Sequence, residues 1–136
     1  MAKRRDLLKM AGFSPLAVWA AGPSKLPNGV VSAGSAKLTR ASFGDTRIYH
    51  SGATDQVKAM TAGSVLLKPG MAPHPEHTHE EEEFLLVTEG SGEIKVEGAI
   101  SQAGPGTMMY CAAGKLHGIV NTGKTPLLFY FYKWKA

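Results

Sequence analysis

The residues best suited to chemistry stand close together, as His74-Pro75-Glu76-His77-Thr78-His79 followed by Glu80, Glu81, Glu82 and Glu83. His77 and His79 are two apart, so in an extended chain both imidazoles leave the same side. Glu83 is the carboxylate whose register suits a ligand, with Glu82 as the substitute; the rest of the acidic run reads as a solvated turn. A third histidine, His117, follows the glycine-bounded stretch from Gly106 to Gly114 and precedes Asn121. Neutral imidazoles beside a carboxylate are donors that Fe, Mn, Co, Ni, Cu or Zn accept. Three imidazoles and one carboxylate leave positions open on an octahedral ion, whereas a structural zinc site is closed and four-coordinate. The alternative, turn-capping histidines beside a solvated glutamate, is disfavoured by the presence of both clusters.

These side chains need elements to hold them, and from Leu38 onward the sequence supplies short ones. Apolar and β-branched stretches fall at 38–43, 47–50, 57–60, 64–68, 83–87, 93–96, 99–102, 107–111, 117–121 and 127–134. Turn signals separate them, among them Pro69-Gly70, Glu97-Gly98 and Gly104-Pro105-Gly106. No segment carries a sustained 3.6-residue stripe, so the chain reads as an all-β antiparallel sandwich or barrel. If Glu83 faces inward, Leu85 and Val87 do too, and Phe84 and Leu86 face out. The stretches 84–87 and 127–132 are apolar on both faces, which calls for a cover on the outside as well. A second copy of the chain is the simplest one, making a homodimer the expectation.

At this point the sequence resembles a known family. The run His77-x-His79-x3-Glu83-x6-Gly90 matches the first motif of the cupin superfamily, with the leading glycine, Gly70, one residue further upstream than usual. Gly106, Gly114, His117 and Asn121 match the second motif, with Ala112 where proline is usual and Thr107 in place of a common acidic residue. The resemblance spans roughly 64–134 and implies a single small antiparallel jelly-roll β-barrel. It also implies one divalent transition metal (Fe, Mn, Ni, Cu or Zn) held by His77, His79, Glu83 and His117. Around such a centre His74, Met108, Tyr110, Phe129 and Phe131 are candidates for the pocket, and Glu83 is the candidate proton carrier. Cys111 reads as a buried, inert thiol rather than a ligand.

The 136 residues carry 15 Lys+Arg against 11 Asp+Glu, a net charge of +4, all of it at one end. Residues 1–36 hold five basic side chains and one acidic one; residues 37–136 hold ten of each. The body therefore gives no electrostatic reason to seek nucleic acid or an anionic membrane. Residues 1–36 read as an export leader and linker, and 37–136 as the barrel. Arg4, Arg5, Leu8 and Lys9 resemble a twin-arginine signal, followed by a weakly apolar stretch at 10–24. That stretch falls short of the roughly 20 residues of a spanning helix, so no stable membrane span is expected. Cleavage would fall after Ala20, Ala33 or Ala36 and deliver a periplasmic protein. One cysteine excludes an intramolecular disulfide and a Cys-only zinc site. No Ser/His/Asp order, phosphate-binding glycine loop or basic–aromatic nucleic-acid surface appears.

Three functions follow for such a chain with a small-molecule ligand or substrate. The first is a metal-dependent, dioxygenase-type enzyme acting on a small organic molecule. The second is a non-catalytic module that binds or senses a metal or small ligand. The third is a sugar isomerase or epimerase, which would call for a polar pocket.

Overall fold

The computed structural model describes residues 25–136. Its elements are β1 (Lys37–Ala41), β2 (Gly44–Gly52), β3 (Ala59–Leu67), β4 (Glu82–Glu89), β5 (Gly92–Val96), β6 (Ala99–Ala103), β7 (Met108–Cys111), β8 (His117–Val120) and β9 (Leu127–Lys135). They form a six-stranded sheet ordered β1-β2-β3-β9-β4-β7 and a three-stranded sheet ordered β6-β5-β8. All the named pairings are antiparallel. This is the all-β barrel expected from the spacing of turns. Among the described residues no helix is long and apolar enough to cross a membrane.

The strands sit where the β-branched and aromatic residues cluster, and tight turns close them. Glu97 and Gly98, both at positive φ, join β5 to β6 in a two-residue hairpin loop between Val96 and Ala99. One expectation is corrected: 57–60 and 64–68 are not separate strands, because the single strand β3 (Ala59–Leu67) runs through most of both. Gly63 between them does not break the strand, because it pairs with Ile48 on one side and Phe131 on the other. A methyl there would meet the Phe131 ring at 2.6 Å, so the glycine makes room for an aromatic ring inside the barrel.

Alternation sorts the faces. On β4, Glu83, Leu85 and Val87 are buried while Phe84 is exposed and Leu86 half-buried, the parity read from the sequence. Leu67, Val87 and Leu127 are wholly buried at the centre of the core, with Leu85, Ile94 and Phe129 around them. The outer face of the large sheet is aromatic: Phe84 packs against Tyr110 (5.3 Å between ring centroids) and Trp134 (5.6 Å), and Tyr132 is exposed beside them.

Met108 and Tyr110 belong to that outer face and do not line the pocket, a correction to the sequence reading. They are 56% and 48% exposed, while Met109 and Cys111 between and after them are buried. Because β7 is apolar on both parities, its sequence alone does not say which set faces inward. Residues 1–24, which carry the twin-arginine resemblance, lie outside the described residues. Of the expected linker, Lys25 bridges Ala53 and pairs with Asp55, and Ala36 is buried.

Candidate metal centre

Four groups from different parts of the chain converge inside the barrel. Glu83 comes from β4 in the large sheet and His117 from the start of β8 in the small one. His77 and His79 come from the loop before β4, outside any regular strand. His77 is nonetheless fixed by an isolated bridge to His117, the two exchanging backbone N–H···O bonds of 3.0 Å each way. The His79 carbonyl accepts from the Gly114 amide at 2.8 Å. Donor atoms of His77, His79 and His117 lie within 4.8 Å of one another.

The hydrogen bonds bear on what the cluster could hold. One oxygen of Glu83, Oε2, lies 2.8 Å from His79 Nε2 and 3.2 Å from His117 Nε2. The other nitrogen of each ring faces a backbone carbonyl: His79 Nδ1 that of Glu81 at 3.0 Å, His117 Nδ1 that of Lys115 at 2.9 Å. A carbonyl only accepts, so each Nδ1 carries a proton. A neutral ring would then turn its Nε2 lone pair toward the carboxylate, which is repulsive. The arrangement is satisfied either by a second proton on each ring or by a cation shared among Nε2 atoms and the carboxylate. Backbone carbonyls that fix the tautomer of a histidine are the usual support for metal-ligating imidazoles. The donor set therefore fits a divalent transition metal.

Electrostatics follow the same pattern. Burial works against the Glu83 charge, but hydrogen bonds from His117 and His79 outweigh it and hold its carboxyl below the usual value. His117 is shifted up, chiefly by its bond to Glu83, against burial and with help from the Lys115 carbonyl. His77 is pushed down to about 4 by burial and by the neighbouring histidines, His74 foremost. It therefore keeps a free lone pair at neutral pH. His74 stacks on it, ring centroids 3.7 Å apart, with Nδ1 2.8 Å from the Pro75 carbonyl. Cys111 is buried, its thiol 3.3 Å from His117 Nδ1, and burial raises its pKa. It backs His117 rather than joining the cluster.

The cluster opens into a cavity of about 330 Å³. His74, Phe129 and Phe131 line it. Phe43, Thr46, Ile48 and Lys133 also do, and sequence reasoning missed all four. Three of them lie in or just before β2, outside both motifs, and reach the cavity only through the long-range β2–β3–β9 pairing. Lys133 had a readable signal, since it shares parity with Phe129 and Phe131.

Comparison with known proteins agrees with this architecture. A family profile described as the cupin domain matches residues 63–132. The chain belongs to the cupin family. No curated protein sequence matches this cupin. Its barrel is similar to an RmlC-like cupin from Shewanella frigidimarina (TM-score 0.66, 14% identity, covering 83% of this chain and 96% of that one). A predicted oxalate decarboxylase from Thermotoga maritima is similar at TM-score 0.63 and 22% identity, over 79% of this chain and 100% of that one. A cupin-superfamily sugar phosphate isomerase from Silicibacter pomeroyi gives 0.66 and 20%, over 79% and 76%. Identities this low speak for the shared fold alone. Cupins commonly bind a divalent metal, and His77, His79 and His117 of this one form a group able to hold it.

Proposed function

We propose that this cupin is a metal-dependent enzyme of dioxygenase type acting on a small, largely apolar organic molecule. The observation that carries the reading is the shared Glu83 oxygen between two histidines whose other nitrogens are already committed to carbonyls. His77, His79, His117 and Glu83 would hold the ion, which when bound supplies Lewis acidity and, if redox-active, one-electron chemistry. The carbonyls of Glu81 and Lys115 orient two of the ligands. Phe129, Phe131 and Ile48 would keep water from the reacting end of the cavity, and Glu83, once displaced from the ion, would take and return a proton. The mostly apolar lining runs against sugar isomerase chemistry. Elemental analysis of the purified protein, with oxygen uptake across a panel of small aromatic and aliphatic compounds, tests the proposal. Uptake that vanishes on chelation and returns with metal supports it. A ligand recovered unchanged, with no uptake, would make the protein a binding module instead.

The twin-arginine resemblance supports export to the periplasm, a route that moves folded proteins and would let metal be chosen before transport. The exposed aromatic face formed by Phe84, Tyr110 and Tyr132 supports a homodimer. Light scattering should return about twice the 14.4 kDa chain mass. The double substitution Phe84→Glu with Tyr132→Glu should return a monomer with an unchanged fold; a monomeric unsubstituted protein would refute the dimer.

A further inference from the structure

Strand β9 sends Leu127, Phe129, Phe131 and then Lys133 toward the barrel interior. An ammonium thus occupies a position where alternation asks for an apolar residue. Inward lysines are costly unless something meets the charge. Lys133 sits directly across from Glu83 in the β4–β9 register, yet its ion pair is with Glu81, not with Glu83. That pair is loose: Nζ lies 3.8 Å from Glu81 Oε2, longer than a hydrogen bond, and both side chains are about one-third exposed or less (33% and 27%). Its Nζ lies over the Phe131 ring, 6.0 Å from the centroid. Among the described residues lining the cavity, Lys133 is the only Lys or Arg.

The cavity therefore offers a histidine–glutamate cluster, an apolar wall and one ammonium whose present partner is displaceable. We propose that Lys133 is an anion anchor and that the ligand class is a small organic carboxylate with a compact aromatic or aliphatic body. The carboxylate takes the place of Glu81 on Nζ, the body lies against Phe129 and Phe131, and the reacting end points to the cluster. The volume, near the lower end of the roughly 300–1,000 Å³ typical of ligand pockets, limits the body to about one ring. The assignment of a reacting end rests on the proposed metal centre; the Lys133 anchor does not.

The test is calorimetric binding of benzoate, with benzamide as its uncharged counterpart, to metal-loaded and chelated full-length protein. Benzoate should bind about tenfold or more tightly than benzamide, a margin set by one charge-assisted hydrogen bond. Lys133→Met should erase that margin while Lys133→Arg keeps it, with metal content unchanged in both. Glu81→Gln, which frees the ammonium without touching the core, should tighten benzoate and gives a second reading should Lys133→Met fold poorly. Equal binding of benzoate and benzamide, no benzoate binding, or benzoate binding indifferent to Lys133 would overturn the anchor. Benzoate bound through Lys133 by a protein that takes up no metal would refute the metal centre and leave the anchor standing.

Discussion

Replacing His117 with alanine is expected to abolish stable metal binding. His117 is 4% exposed, and its Nε2 is one of the two nitrogens converging on the shared Glu83 oxygen. Losing a residue that merely supports a ligand costs about 10–100-fold in affinity, and a direct ligand should cost more than that. Two measurements report it: elemental analysis, which should show the metal gone, and the melting temperature with and without added metal. A bound ion stabilises the native state by about 2.7 kcal/mol at a hundred times its dissociation constant, so the original protein should melt later with metal and the variant should not. His117→Gln guards against a packing defect, since it keeps a polar side chain of similar reach. A full equivalent of metal in both variants would refute the assignment. Alanine at His77 should cost less, because His74 already lies stacked against that position.

The second large effect is on folding. Asn121, the last residue of the second motif, has no exposed surface. Its Nδ2 donates to the carbonyls of Leu67 (3.0 Å) and Thr125 (2.9 Å), and its Oδ1 accepts from the Gly123 amide (3.0 Å). Its backbone bonds Met71 and Gly70 as well. One amide thus ties the end of β3 to the turn between β8 and β9. Asn121→Ala strands buried partners at about 1–3 kcal/mol each, partly offset by relaxation, for a loss of roughly 3–5 kcal/mol. Against a total of about 5–15 kcal/mol, that lowers the melting temperature by on the order of 10–20 °C. Denaturant unfolding should show a lower midpoint with the same slope. A loss under about 1 kcal/mol would mean that water satisfies the stranded carbonyls.

What the sequence disclosed was local. The barrel class followed from turn spacing, and the inward parity of Glu83, Leu85 and Val87 from alternation once a single residue was placed. The convergence of His77, His79, Glu83 and His117 was readable because two motifs encode it at fixed spacing. What stayed hidden depended on long-range register or on segments without a polar face. Strand β7 offers apolar residues on both parities, so Met108 and Tyr110 could be placed only by their pairing with Leu86 and Phe84. Thr46 and Ile48 reach the cavity because β2 pairs with β3 and β3 with β9, which no local pattern announces. The tautomers of His79 and His117 depend on carbonyls whose positions exist only after folding.

Glu83 and His117 belong to different sheets, and the shared oxygen joins them where β4 and β8 have no ladder of their own. The centre is in effect a rivet through the seam of the barrel. A removable rivet turns the breathing of that seam into a gauge of occupancy. The amides of His77 and His117, each donating to the other residue's carbonyl beside that seam, should exchange with deuterium more slowly once an ion is seated and faster once it is withdrawn.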